Sequence, residues 1–182
     1  MPYRISKNFN GRCVWREEPG VQHCSGCGRP VQAPDQTYHC RGRLSRNAPL
    51  TISRDGIYVA SRAFIIAYDK ARLRGLDFQI MENNYFAVRV ARRVSYDLER
   101  SPILQENWCS LCQRWETELV RFRELHLAEG ESVAPDEFVV SVHEFGGAEI
   151  AGPQMIVGDE VIAHMAHFFN GHHRLGVPVT DD

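Results

Sequence analysis

Between Ile57 and Phe78 the apolar positions change period twice. Ile57, Tyr58, Val59 and Ala60 form an unbroken apolar run suited to a short buried strand, whereas Phe64, Ile65, Tyr68 and Leu73 recur at helical spacing. Ser61 stands where a helix N-cap is needed, and Gly75 can end the helix with positive φ before Leu76-Asp77-Phe78 resumes as a strand. The same order returns late in the chain. There Met155-Ile156-Val157 precedes Asp159 as the N-cap candidate, Val161, Ile162, Met165 and Phe168 or Phe169 share a helical face, and Gly176 precedes Val177-Pro178-Val179. Setting Ile57 against Met155 aligns Ser61 with Asp159, and three extra residues bring Gly75 to Gly176. This reads either as an internal repeat or as two strand-helix-strand units that look alike only at this level.

Between these units, Tyr85-Phe86-Ala87-Val88-Arg89-Val90 alternates as a strand with one solvated face, and Glu137-Phe138-Val139-Val140-Ser141-Val142 is another strand candidate. Trp115 to Leu127 fits a helix through Trp115, Leu119, Phe122 and Leu125, and a strand almost as well. The first forty residues read as short strands, Cys13-Val14-Trp15 and Thr37-Tyr38-His39-Cys40, punctuated by Gly28, Pro30, Pro34 and Asp35. Residues 41–56 then read as an irregular connector. The expected fold class is α+β, a mixed sheet with two strand-helix-strand units and a four-cysteine zinc-knuckle or ribbon region. One domain spanning 1–182 is expected, its ribbon-like part formed by about 10–40 and 105–116.

A chain of 182 residues can bury a core without depending on crosslinks. Met1-Pro2-Tyr3-Arg4-Ile5-Ser6-Lys7 has no apolar run behind its basic residues, and no stretch approaches a membrane span, so a cytoplasmic protein is expected. The net charge of −2 hides an asymmetry. Residues 1–112 carry 17 Lys and Arg against 10 Asp and Glu, a net of +7, whereas residues 113–182 carry 4 against 13, a net of −9. Either the halves neutralise one another within the fold, or the acidic half docks a basic partner. A pI near 6.4 argues against a nucleic-acid role.

The chemistry lies in two Cys-x-x-Cys pairs, Cys24-Ser25-Gly26-Cys27 and Cys109-Ser110-Leu111-Cys112. Four thiolates delivered as two tight pairs suit tetrahedral zinc, and a closed four-cysteine site has no open position at which to activate water. Zn2+ bound there would be structural. In a reducing compartment such pairs are metal-binding or redox-active more often than disulfide-forming, which leaves Cys13 and Cys40 as spare thiols. Two alternatives stay open: a thioredoxin-like redox pair, or a local site in which His39 or Cys40 joins Cys24 and Cys27. A glycine after the second cysteine favours the knuckle turn. Gly28 supplies it in the first pair, but Gln113 stands there in the second, where a left-handed backbone costs about 1–2 kcal/mol.

Other clusters read as bland. Glu160, His164 and His167 fall at i, i+4 and i+7 with His172-His173 following, a pattern better explained as an exposed helix face than as a catalytic one. His23 reads as an outer neighbour of the cysteines. Arg41, Arg43, Arg46, Arg89, Arg92 and Arg93 could grip phosphate, but without interleaved aromatics they read as a solvated face. No phosphate-cradling glycine loop or nucleophile elbow is present.

The cysteine pairs, Ser61-Arg62 leading into a helix that ends Leu73-Arg74-Gly75-Leu76-Asp77-Phe78, and a C-terminal unit of the same kind together resemble the double-CXXCG-motif proteins. That family includes immunity proteins paired with toxins in bacterial contact-dependent competition. The resemblance spans most of the chain, although Cys-Ser-Leu-Cys-Gln departs from the family's second motif by lacking its glycine. It implies a non-enzymatic cytoplasmic binder that neutralises a cognate toxin by covering its active site or an essential surface. A basic toxin would suit the acidic half, with Glu116, Glu118, Glu124, Glu129, Glu131, Asp136 and Glu137 as interface candidates. A zinc-ribbon nucleic-acid-binding protein ranks second, and an enzyme built on Glu160, His164 and His167 third.

Overall fold

The computed structural model describes residues 2–5, 22–29, 49–53, 56–81, 84–101, 103–120, 125–147, 150–169 and 179–180. Its elements run β1 Tyr3–Arg4, β2 Leu50–Ile52, β3 Tyr58–Ser61, α1 Arg62–Lys70, β4 Leu76–Ile80, β5 Tyr85–Val90 and β6 Arg93–Val94. They continue with β7 Ile103–Cys109, β8 Arg114–Val120, β9 Leu125–His126, β10 Phe138–Gly147, β11 Ile150–Val157, α2 Asp159–Phe169 and β12 Val179–Thr180. The class is mixed α+β and mostly antiparallel. Cys13-Val14-Trp15, Thr37-Tyr38-His39-Cys40 and most of the expected ribbon at 10–40 lie outside the described residues. Among those residues no helix is long and apolar enough to cross a membrane.

Three sheets form. A four-stranded one runs β2-β3-β5-β4, a larger one runs β1-β11-β10-β8-β7 with β6 added parallel to β10, and β12 pairs in parallel with β9. The segment from Trp115 that fits helix and strand alike becomes β8, because its backbone pairs with β7 from Arg114 to Val120 and touches β10 at Gly146. The two strand-helix-strand stretches end differently. After α1 the chain returns to the sheet it left, with β5 between β3 and β4, whereas β12 joins β9 and not the sheet of β11.

Local signals explain α1. Ser61 is extended (φ −84°, ψ 162°), and its hydroxyl accepts the Phe64 N–H at 3.3 Å. Phe64 and Tyr68, one turn apart, are buried, while the opposite face is solvated. The helix stops before the expected Gly75: Ala71 is its C-cap, Arg72 takes the left-handed turn at φ +55°, and the Leu73 N–H donates back to the Tyr68 carbonyl at 3.2 Å. Gly75, at φ +98°, turns the connector that follows, and a Cβ there would lie 2.2 Å from the Phe138 carbonyl oxygen. That closeness has a purpose. The Phe138 N–H donates to the Arg74 carbonyl at 2.9 Å, so the connector from α1 to β4 bridges to the start of β10.

The main core fills the space between the helices and both larger sheets. Phe64 meets Phe138, Phe168 and Phe78 edge-on, with ring centroids 6.1, 5.7 and 6.5 Å away. Phe138, Val140, Met155 and Val157 face this core, while Val139 and Ile156 face a second cluster with Val94, Tyr96, Leu125, Leu127 and Phe145. The β10–β11 pair is therefore covered on both sides, which explains the unbroken apolar runs Phe138-Val139-Val140 and Met155-Ile156-Val157.

One side chain ties the four-stranded sheet to β11. The Tyr58 hydroxyl donates to the Pro153 carbonyl at 3.0 Å and accepts the Met155 N–H at 3.0 Å. Burial holds its ionisation well above the ordinary value of 10.0, with the Met155 contact opposing. The folded state thus favours the neutral phenol, and this contribution is complete below about pH 10 and declines as pH rises beyond it. Tyr58→Phe is expected to lower stability at neutral pH by about 1–3 kcal/mol, because a buried N–H and C=O lose their partner. Urea unfolding at neutral pH checks the loss, and repeating it above pH 10 should show a shallower alkaline decline than in the parent protein.

Candidate functional site

The two cysteine pairs, 85 residues apart in sequence, converge. Cys24 and Cys27 sit on a tight turn in which the Gly28 N–H donates to the Cys24 carbonyl at 2.8 Å and the Cys24 N–H to the Arg29 carbonyl at 2.7 Å. The second pair occupies the tip of the β7–β8 hairpin: Cys109 ends β7 opposite Arg114, and the Gln113 N–H donates to the Cys109 carbonyl at 2.8 Å. Gly28 has φ +70° and Gln113 φ +54°, so both knuckles make the same turn despite the missing glycine. The departure at Gln113 changes the strain and leaves the turn intact.

The sulfurs then meet across the knuckles. Cys24 Sγ lies 3.6 Å from Cys109 Sγ, Cys27 Sγ 3.6 Å from Cys112 Sγ, and all four fall within 4.8 Å of one another. A tetrahedron of sulfurs around zinc with bonds of about 2.3 Å has edges of about 3.8 Å, close to these spacings. The cysteines are free, and 3.6 Å far exceeds a disulfide bond of about 2.05 Å. Cys24 is buried and the other three half-buried. Gly26 allows the approach, since a Cβ there would lie 3.1 Å from Leu111 Cδ1 and 3.3 Å from Cys109 Sγ. Arg29 secures it from below. Its guanidinium, 4% exposed, donates to the Glu116 carbonyl on β8.

Electrostatics divides the four thiols. Amide donation from Cys27 and then Gly26 pulls Cys24 down to about 6, against the opposing effect of burial. Burial, and then the neighbouring sulfurs, push Cys112 up to about 12, and burial also raises Cys27. One sulfur accepts negative charge readily. Four in this space do so together only beside a cation, and a soft divalent ion with tetrahedral preference fits this donor set. The cluster is thus a candidate metal centre made of the four cysteines expected from sequence.

Next to it lies a cleft of about 330 Å³ that the sequence reading missed. Its lining includes Arg29, Trp108, Arg114, Trp115, Glu118 and His143. Trp108 and Trp115 pack edge-on at 5.0 Å, and Trp108 remains 50% exposed. Glu118, 7% exposed, accepts Gln105 Nε2 at 2.7 Å and the Glu144 N–H at 2.9 Å, with His143 Nδ1 at 3.2 Å. Burial alone would raise its pKa, but these contacts together, His143 foremost, hold it below the ordinary carboxylate range. No short motif carries these residues, which with Arg93, also in the lining, come from five separate stretches of chain.

The other sequence candidates are scattered. Glu118 and Glu137 are buried, so neither is a surface carboxylate open to a partner. Glu137 pairs with Arg92 at 2.8 Å and accepts the Ala134 N–H; Glu131 lies 3.8 Å from Arg92, and Asp136 pairs with Arg74 at 2.9 Å. These three ion pairs join the basic half to the acidic half, as mutual neutralisation requires. Glu116 is half-buried and Glu129 exposed, while Glu124 lies outside the described residues, with His39, Cys13, Cys40, Arg41, Arg43, Arg46 and His172-His173. Glu160, His164 and His167 are exposed on α2, and His23 is exposed beside the first knuckle.

The left-handed backbone shared by Gly28 and Gln113 makes opposite substitutions informative. Gln113→Gly is expected to raise stability by about 1 kcal/mol through relief of strain, less the entropy glycine adds to the unfolded chain, whereas Gly28→Ala is expected to lower it by about 1–2 kcal/mol. Denaturant unfolding of the two variants under identical metal conditions checks both signs. Comparison with protein-family models, with curated proteins and with solved structures gave no match to this chain.

Proposed function

We propose that the four cysteines hold one structural zinc ion and that the protein is a cytoplasmic, non-enzymatic binder that neutralises a cognate toxin. The observation that carries the first part is the meeting of four sulfurs within 4.8 Å from knuckles 85 residues apart. Zinc bound by Cys24, Cys27, Cys109 and Cys112 would neutralise the thiolates and fasten the N-terminal knuckle to the hairpin tip, with no coordination position left for water. The same reading does not treat β3-α1-β4 and β11-α2-β12 as versions of one unit, since Ser61 caps α1 from outside whereas Asp159, the expected N-cap, is the first residue inside α2.

The binder reading rests on the resemblance in the cysteine spacing and on the surplus of 13 acidic over 4 basic residues in 113–182. With Glu118 and Glu137 buried, an acidic docking face draws on Glu129 and Glu116, and on what Glu131 and Asp136 leave unneutralised. Such a face acts mainly through association rate. Opposite charge steers encounter and is weakened by salt.

Two measurements separate the parts. Elemental analysis of untagged protein is expected to give about one zinc per chain. Cys24→Ser or Cys109→Ser should lose most of it, and metal should leave as falling pH supplies protons that compete for the sulfurs. Stable, fully folded protein without metal contradicts the staple. Separately, co-expression with the toxin-like product of an adjacent gene is expected to protect cells, and Glu129→Lys with Glu116→Lys should slow association and flatten its salt dependence. Unchanged toxicity, or association rates indifferent to these reversals, removes the immunity reading without touching the metal.

A further inference from the structure

The cleft beside the hairpin tip is built by devices that the zinc reading does not require. Pairing between β10 and β11 shifts register between Val140 and Glu144, which frees Ser141, Val142 and His143 from regular alternation. The Ser141 hydroxyl holds this bulge by donating to the His143 carbonyl at 2.6 Å and accepting the Gln154 N–H at 2.8 Å. The His143 ring lies nearly parallel to Tyr96, 17° apart with centroids at 6.1 Å, and its Nδ1 meets Glu118 Oε1 at 3.2 Å. Because an ionised Glu118 only accepts, Nδ1 carries the proton and Nε2 is the ring atom left for other partners.

Charge in the cleft is unbalanced. Arg29, Arg93 and Arg114 line it against Glu118 and Glu144. Glu118 is already saturated by Gln105, His143 and the Glu144 N–H, and Glu144 stands 3.7 Å from Arg114. Among the described residues Arg29 has no carboxylate partner, and its buried Nε has no hydrogen-bond partner at all. A buried guanidinium with unused donors is costly unless an acceptor completes it. Trp108 also lines the cleft, with a half-exposed indole packed edge-on against Trp115.

We propose that this cleft is a binding site for a small planar anion, a flat ring bearing a carboxylate or phosphate, held by Arg29, Arg93 and Arg114 and stacked on Trp108. Guanidinium forks match both anions bidentately, and an indole face accepts any flat ring. The volume of about 330 Å³ suits a ligand of one ring system and its anionic group, at the small end of ligand pockets.

The test is calorimetric titration of the intact, metal-replete protein with adenosine monophosphate and with naphthoate, beside adenosine and inorganic phosphate. Saturable binding of at least one ring-bearing anion is expected, at least about tenfold tighter than to adenosine or inorganic phosphate, and the tighter of the two anions shows whether phosphate or carboxylate is preferred. Arg93→Gln and Trp108→Ala, both at exposed side chains, should each weaken it about tenfold or more. Ile66→Ala, on the distant exposed face of α1, should not change it. Absence of saturable heat with both anions overturns the proposal. So does binding that survives both cleft variants, and so does equal affinity for inorganic phosphate, which would leave the ring unrecognised.

Discussion

Burial of the β10–β11 pair on both faces governs most of the molecule, because side chains on one strand must satisfy two cores at once. Phe138, Val140, Met155 and Val157 serve the helices, while Val139 and Ile156 serve the smaller cluster around Tyr96 and Phe145. Such a pair tolerates little sliding, since a shift of one residue would exchange the two sets. The other contacts key into it. Gly75 lets the α1 connector reach Phe138, Tyr58 hydrogen-bonds across to β11, and Glu118 meets β10 through the backbone of Glu144.

The cysteine cluster stands on this frame from the outside. β10 carries β8, β8 carries β7, and the turn between the last two presents Cys109 and Cys112. Among the described residues, the anchors of the N-terminal knuckle include the sulfur cluster, the close approach of Gly26 to Leu111 and the buried Arg29 on the Glu116 carbonyl. A metal bound there would close a long loop between distant positions, where a crosslink has most entropy to remove from the unfolded chain.

The charge asymmetry that suggests a docking face is spent in part within the fold. Arg74–Asp136, Arg92–Glu131 and Arg92–Glu137 each join the two halves of the chain. The two more exposed pairs, Arg74–Asp136 and Arg92–Glu131, add little stability, so their importance is that they occupy carboxylates otherwise open to a partner. Glu118 goes further, because its burial turns an expected surface acid into the anchor of His143.

Wherever the deciding physics is local, the sequence was sufficient. Apolar runs marked β3, β10 and β11, Ser61 marked the start of α1, and the spacing of two cysteine pairs marked a four-sulfur centre, because capping and a knuckle turn each depend on a few neighbouring residues. The end of α1 was not so marked: the left-handed turn falls on Arg72 and not on Gly75. Tertiary structure alone decided the rest. Whether Trp115 to Val120 became strand depended on hydrogen bonds offered by β7, and whether Gln113 accepted a left-handed turn depended on the hairpin that β7 and β8 impose. The cleft was illegible for the same reason: Arg29, Arg93, Trp108, Glu118 and His143 share no spacing, and only the stacking of strands brings their side chains to one place.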